Sequence, residues 1–523
     1  MNPLCRRPWL KIAVLLCVVG IILECKFLRR IVHFANRKIL SQTYNSHLRS
    51  PYMLSIQTDK AHELELSDQG YVAAVYYSNW SPYPPRNHFP HEIDFRQITH
   101  VFYSFFLVDP KSGQCKSSDE YSDSQLDVYK QMTHSFHKLD FAKTFDRAND
   151  SNSSSSAQLP QGCIGELFYL KYTHFLPSQG GPAGVNNFKT VMSVGGWSNR
   201  DAFEALVKDS AKLNVFVESC VDNMFKYGFD GIDIDWEFPK NDSREPVVFL
   251  EMMKALRSKL LELEDAIFGS APHSQHFLLT AAISGDTAVL EYLPLAEANQ
   301  YLDYFNLMAY DFSGGWSERT SYQSNLYDAS SHKKPSTDSG VSADKTVQSL
   351  IHQYKVPANK IVLGMPAYGR GFRKVSIRNQ SNHVAINRKF HGVQGTSKGE
   401  KGMSLYKSLP AKGNQEFFDS DAVSAFCMKP WSSRSSTDLT VYDNPASMLI
   451  KAQYVRQNEL AGGFWWDSCG EDYINAGRSL TRAFTQELKK IKKTDPTIYR
   501  LPQVARYYKI KYDHGFLTPI FSV

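Results

Sequence analysis

Eight short runs rich in β-branched and aromatic residues recur along the chain, at residues 71–77, 98–106, 190–195, 231–236, 277–283, 304–310, 360–365 and 462–466. Each has the length and make-up of a buried strand. Between several of them lie stretches of helical period: 213–227, stopped by Gly228, 246–263 behind Asp242 and Ser243, and 446–455. Strand and helix alternating in this way predict an α/β fold in which a parallel sheet closes into a (β/α)8 TIM barrel over residues 71–485. The spacing is uneven. The gap after the second run holds a Ser-rich stretch at 151–156 and reads as a helix plus a disordered loop, whereas 371–442 is long enough for an inserted α+β lobe between strands seven and eight.

The ends of the chain follow a different pattern. Arg6, Arg7 and Lys11 precede an apolar run at 12–23, flanked by Glu24 and Lys26. Such a run is short for a membrane span, which needs about 20 residues, and fits the core of a signal peptide. No small-residue pair for cleavage follows it, so residues 1–30 are either a signal peptide or an uncleaved signal anchor. A secreted protein is expected, with membrane anchorage through that segment as the alternative. Residues 31–70 read as a linker or stalk, and 486–523 as a basic, solvated C-terminal extension. The sequons at Asn149, Asn152, Asn241 and Asn379 lie in polar stretches suited to surface glycans, while Asn79 sits at a strand end.

Composition narrows the function further. With 42% hydrophobic and 21% charged residues the chain is globular and not disordered. Lys and Arg number 59 against 53 Asp and Glu, spread along the chain, which leaves no concentrated footprint for nucleic acid. Outside the leader five cysteines remain, Cys115, Cys163, Cys220, Cys427 and Cys469; one or two disulfides are expected, with pairing left open. Cys and His show no metal-ligand spacing, so neither a metal nor a cofactor is expected.

The fourth run carries the chemistry. Strand alternation places Asp233, Asp235 and Glu237 on one face and Ile232, Ile234 and Trp236 on the other. Same-face neighbours stand only about 7 Å apart, so a barrel interior cannot keep all three carboxyls ionised, and at least one proton is retained near neutrality. A retained proton beside a carboxylate is a general acid. Asp230 falls off this parity and is expected to order the start of the strand.

The segment Asp230-Gly231-Ile232-Asp233-Ile234-Asp235-Trp236-Glu237 resembles the D-G-x-D-x-D-x-E signature of family 18 glycoside hydrolases, the chitinases. Further family-like pieces follow in order: Tyr76 to Trp80, Phe105, Ser193 to Trp197 with Gly196, Met308 to Asp311, Gly364 to Arg370 with Tyr368, and Gly462 to Trp466. Gly162-Cys163-Ile164 and the ending Trp465-Trp466-Asp467-Ser468 are most similar to the fungal branch, whose spore-wall or sporulation chitinases of yeasts are the nearest kind.

The resemblance implies a retaining hydrolase of β-1,4-linked N-acetylglucosamine polymers in which the acetamido group of the substrate is the nucleophile. It implies Glu237 as acid and then base, Asp235 orienting the acetamido group, Asp233 sharing a proton with Asp235, and Tyr310 bonding the acetamido carbonyl. Asp311 and Arg370 resemble residues that grip the sugar, Trp466 resembles the floor under it, and Trp80 and Trp197 resemble platforms for neighbouring sugars. Tyr76 and Phe105 are either substrate contacts or barrel core; Trp465 points away from Trp466. Ser193, Gly196, Met308 and Tyr368 complete the expected binding set. Chitin or a chitooligosaccharide is the expected partner of a monomer that remodels fungal cell or spore wall. An endo-β-N-acetylglucosaminidase acting on N-glycans shares the acidic strand, but a lobe at 371–442 favours a polymer groove. A chitin-binding lectin of this kind typically lacks the terminal acid, and Glu237 is present.

Overall fold

The structure is a computed structural model that describes residues 70–128, 160–173, 188–242, 244–271, 275–328, 340–377, 385–395, 400–429, 436–492 and 497–518. Eight parallel strands form the barrel: β1 (Val72–Ser78), β2 (His100–Val108), β4 (Lys189–Gly195), β5 (Gly231–Asp235), β6 (Leu278–Ser284), β7 (Tyr304–Met308), β8 (Ile361–Pro366) and β15 (Gly462–Trp466). Because β1 pairs with both β2 and β15, the sheet closes on itself. A three-residue strand, β3 (Cys115–Ser117), adds antiparallel to the end of β2 and carries it two residues past the expected end. All eight expected strands are present, with ends moved by at most two residues.

Alternation along the strands builds two apolar layers. Val72, Ala74, Tyr76, Phe102, Val191, Leu278, Ala282, Met308, Val362 and Phe464 fill the barrel. Residues of opposite parity, such as Val75, Tyr77, Ile232 and Ile234, pack outward against the helices. Helix Ser210–Lys226 shows why: Leu213, Phe216, Val217, Cys220, Val221, Met224 and Phe225 recur on one face, and Asp209 caps its first N–H groups. Helix Glu245–Phe268 runs five residues beyond the expected end, to Gly269. Helix Pro445–Gln457 starts at Asn444, whose side chain accepts from Ala446 and Ser447. At Gly462, with φ at +152°, a Cβ would stand 1.9 Å from the Val72 carbonyl oxygen, so closure of the barrel between β15 and β1 requires glycine.

The inserted lobe begins three residues earlier than expected. Its strands are β9 (Tyr368–Ser376), β10 (Val393–Gln394), β11 (Met403–Leu405), β12 (Gln415–Asp419), β13 (Ser424–Met428) and β14 (Ser436–Tyr442), all antiparallel. Tyr368 and Arg370 are thus on the first lobe strand. Among the described residues the helical content of the lobe between β9 and β14 is one 3-10 turn, Tyr406–Ser408.

Two expectations need correction. The C-terminal segment is not a solvated extension: helix Pro502–Lys511 and the turn before it pack on the barrel, and Tyr499, Tyr508 and Leu517 are buried. Burying each such side chain contributes about 1.5–3 kcal/mol, which outweighs the solvation of the intervening lysines. Tyr499 donates to the Phe229 carbonyl at 2.7 Å and Tyr508 to that of Lys226 at 2.8 Å. The cysteines form no disulfide among the described residues; all five named above are buried thiols. Asn79 is buried and donates to Ser118 and Asp123, so its side chain is committed inside the fold.

Asn241 is exposed, as a glycan acceptor requires. The leader, the 31–69 stalk, the Ser-rich loop, Asn149, Asn152 and Asn379 lie outside the described residues. No described helix is long and apolar enough to cross a membrane.

Candidate active site

The site lies at the C-terminal ends of the barrel strands, where side chains from different strands converge. Register places its base. Ser193 on β4 and Thr280 on β6 stand directly beside Asp233 on β5. Asp233 accepts hydrogen bonds from Ser193 Oγ (2.8 Å), Thr280 Oγ1 (2.6 Å), Tyr76 OH (2.9 Å) and Asn306 Nδ2 (3.1 Å). Burial raises its pKa, and these four donors oppose that rise.

Asp235, one step up the same face, is its opposite. It is buried, and its Oδ1 accepts no hydrogen bond from the protein. Burial, then Glu237, then Asp233 push its pKa well above the ordinary carboxylate range. The expected proton sharing with Asp233 finds no hydrogen bond: Asp233 is occupied by its four donors, and the two carboxyls meet only through repulsion. Glu237, half-buried at the mouth, is pushed up to about 7 by burial and next by Asp311, against the lowering influence of the Trp197 N–H and the Arg200 cation. Burial and repulsion by neighbouring acids thus raise both upper carboxyls, and Glu237, at about 7, keeps its proton close to neutrality, as the shared face of the strand implies. Tyr310, edge-on to Tyr368 and Phe464, stays a neutral phenol because burial and the surrounding carboxyls raise its pKa well above the usual value.

Aromatic rings make the floor. Trp466 stacks with Phe105 at 5.6 Å and meets Tyr76 at 5.5 Å and Trp80 at 6.3 Å. Gly196, with φ at +79°, lets the Phe105 ring approach: a Cβ there would stand 2.5 Å from it. Trp465 faces outward onto Phe484, as alternation requires. Trp80 and Trp197 are the exposed rings of the expected set, at 36% and 58%. Tyr76 and Ser193 are buried with their hydroxyls donating to Asp233. Met308 belongs to the barrel interior. Asp230 is a strand anchor: buried Lys171 donates to it at 2.7 Å, and the Thr190 N–H at 2.7 Å.

Asp311, at φ +59°, takes a two-pronged bond from Arg370, whose third contact is Glu400 of the lobe. Trp316 and Tyr368 lie 5.0 and 5.1 Å from the Arg370 guanidinium. Four residues of the site went unpredicted: Thr280, Asn306, Trp316 and Glu400. Polar Thr280 and Asn306 at inward positions of apolar strands carried a readable signal; Glu400 and Trp316 carried none, because only the folded loop and lobe bring them to Arg370. Among the described residues no cluster of His, Cys, Asp and Glu could hold a metal ion.

Comparison with known proteins agrees with this geometry. The family described as Glycosyl hydrolases family 18 matches residues 72–472. Sporulation-specific chitinase 2 of Saccharomyces cerevisiae is 40% identical over 469 residues, 88% of this chain and 86% of its own. Chitinase 1 of Aphanocladium album is 32% identical over 405 residues, 77% of this chain and 83% of its own. Among solved structures, the catalytic domain of chitinase B from Arthrobacter TAD20 superposes with a TM-score of 0.64 at 22% identity, covering 82% of this chain and 98% of that one. The class V chitinase of Nicotiana tobaccum in complex with NAG4 gives 0.56 at 23% identity, over 80% and 99%. At these identities the two structures speak for the fold.

Proposed function

The chain belongs to family 18 of the glycosyl hydrolases, and from that membership we propose that it is a chitinase, cleaving β-1,4-linked N-acetylglucosamine chains with retention of configuration. The observation that carries the mechanism is the pair Asp235 and Glu237. Glu237, protonated up to about pH 7, donates its proton to the glycosidic oxygen as the bond breaks. Asp235 offers a buried oxygen with no protein donor, which an acetamido N–H of the substrate satisfies. Held there, with the Tyr310 hydroxyl on its carbonyl, the acetamido oxygen attacks the anomeric carbon in place of a protein nucleophile. The ring so formed is cationic, and the Asp235 carboxylate stabilises it. Glu237, now a base, takes a proton from water, which opens the ring on the face that restores the original configuration.

Trp466 is the apolar floor for the sugar being cleaved, and Trp80 and Trp197 are platforms on either side. Similarity to the yeast sporulation chitinase supports a role in fungal cell-wall or spore-wall remodelling. Secretion is supported by the apolar run at 12–23 and by the exposed sequon at Asn241.

The reading is tested by proton NMR of freshly formed products from an N-acetylglucosamine hexamer. New reducing ends should appear first as the β-anomer. Initial α-anomer, or no cleavage, rejects it.

A further inference from the structure

The mechanism makes no use of Arg200, yet the residue touches two of its parts. The guanidinium lies over the Trp197 ring, with Cζ 4.2 Å from the centroid. Its Nη1 donates to the Trp197 carbonyl oxygen at 2.8 Å. Both contacts come from within the 3-10 turn Trp197–Phe203, so the ring and the peptide of Trp197 are gripped together. The Trp197 N–H in turn faces the Glu237 carboxyl and favours its charged form, and both residues wall one cavity. Arg200 covers one face of the ring, and Trp197 as a whole stays exposed.

A cavity of about 310 Å³ adjoins Glu237 here, walled by Trp197, Arg200, Pro239, Lys240 and Tyr292 among others. Asp235, Tyr310 and Trp466, which surround the sugar being cleaved, take no part in its wall. The cavity therefore lies on the side of the acid away from those three residues.

From this geometry we infer that Arg200 is a positioning residue for the leaving side of the substrate, holding Trp197 beside Glu237 as a platform for the departing sugar. The inference rests on the glycosidase reading above. An exposed tryptophan without a partner samples several rotamers and loses that freedom when a sugar docks. A guanidinium stacked on one face removes those rotamers in advance and polarises the ring. Because Trp197 stands beside Glu237 in the wall of one cavity, docking of the sugar and aim of the proton are set by one rigid turn.

The consequence depends on the leaving group. A chitin chain leaves as a sugar, which needs both the platform and the proton. An aryl β-glycoside of N,N′-diacetylchitobiose leaves as a phenol, a better leaving group that fits no sugar platform. The experiment compares kcat/KM on the N-acetylglucosamine hexamer with kcat/KM on the aryl glycoside for the full-length protein and for Arg200→Ala and Arg200→Lys. Arg200→Ala should lower the hexamer-to-aryl ratio by about tenfold, most of it through KM for the hexamer. Arg200→Lys keeps the charge but not the planar stack, and should resemble the alanine variant.

Both activities come from one preparation, so the ratio does not depend on how much of a variant has folded. An unchanged ratio, whether both activities fall equally or neither falls, overturns the inference. Full recovery by lysine overturns it too, since charge alone would then suffice. A parent protein that cuts neither substrate rejects the glycosidase reading instead.

Discussion

Asp311 and Arg370 are joined by two parallel hydrogen bonds, Nε to Oδ1 at 2.7 Å and Nη2 to Oδ2 at 2.6 Å, and so fasten the loop after β7 to the first strand of the lobe. The pair sets the charge near the acid as well as the shape of the groove. Asp311 is the largest charge influence on Glu237 and holds its proton on.

Removing that charge should lower the pKa of Glu237. Activity that needs the protonated acid falls as pH rises through its pKa, so in Asp311→Asn the basic limb of kcat/KM against pH should move to lower pH. Activity should also drop, because Arg370 loses its two-pronged partner. A limb that stays in place or moves to higher pH would show that Asp311 does not tune the acid.

Glu237→Gln keeps the size of the side chain but cannot supply the proton. Hydrolysis of N-acetylglucosamine oligomers should fall by at least about 10²–10⁴-fold, the usual range for general acid catalysis. Binding of the oligomer, followed by calorimetry, should persist. Most activity retained would remove Glu237 from the acid role.

The C-terminal segment should matter for stability and not for chemistry. Lys171 is buried, donating to Thr190, Gly228 and Asp230, with the Tyr499 ring 5.6 Å away. Ending the chain after residue 496 would expose this pair and strip Tyr508 and Leu517 from the barrel. Lys171→Met leaves Asp230 buried without its cation, at a cost of about 3–5 kcal/mol. Both changes should lower the melting temperature clearly, and the surviving folded enzyme should keep its KM. An unaltered melting temperature on truncation would restore the reading of 486–523 as a loose extension.

The barrel and its acids were legible because both rest on strand periodicity, which is local. Asp233, Asp235 and Glu237 share a face whatever surrounds them, and Ile232 and Ile234 mark the other. The C-terminal helix was misread for a physical reason. Val504 and Tyr508 are spaced for one buried face, but Arg506, Lys509 and Lys511 between and beyond them dominate any average of polarity. The start of the lobe was placed late because Tyr368 to Arg370 belongs at once to the end of the barrel run and to the first lobe strand, and sequence carries no mark of where pairing changes partner. The bond between Arg370 and Glu400 joins residues of the lobe that local pattern cannot relate.

The Oδ1 of Asp235 makes the sharpest demand on the substrate. It is a buried acceptor with no protein donor, and neighbouring acids raise the cost of keeping its carboxyl charged. An acetamido N–H satisfies that oxygen, and the acetamido oxygen is then aimed at the anomeric carbon. A free amine in the same place is protonated near neutrality, offers no oxygen to attack, and leaves the reaction without a nucleophile. Fully deacetylated chitosan should therefore be nearly inert even though it can lie along the same aromatic floor. Partly acetylated polymer should be cut only where the sugar contributing the new reducing end is acetylated. Asp235→Asn should also lose much of the affinity for a neutral thiazoline mimic of the cyclic intermediate, since the amide no longer complements the ring as the carboxyl does. Sequencing the new reducing ends released from partly acetylated polymer decides the matter: abundant deacetylated sugars there would sink the substrate-assisted route and require a protein nucleophile.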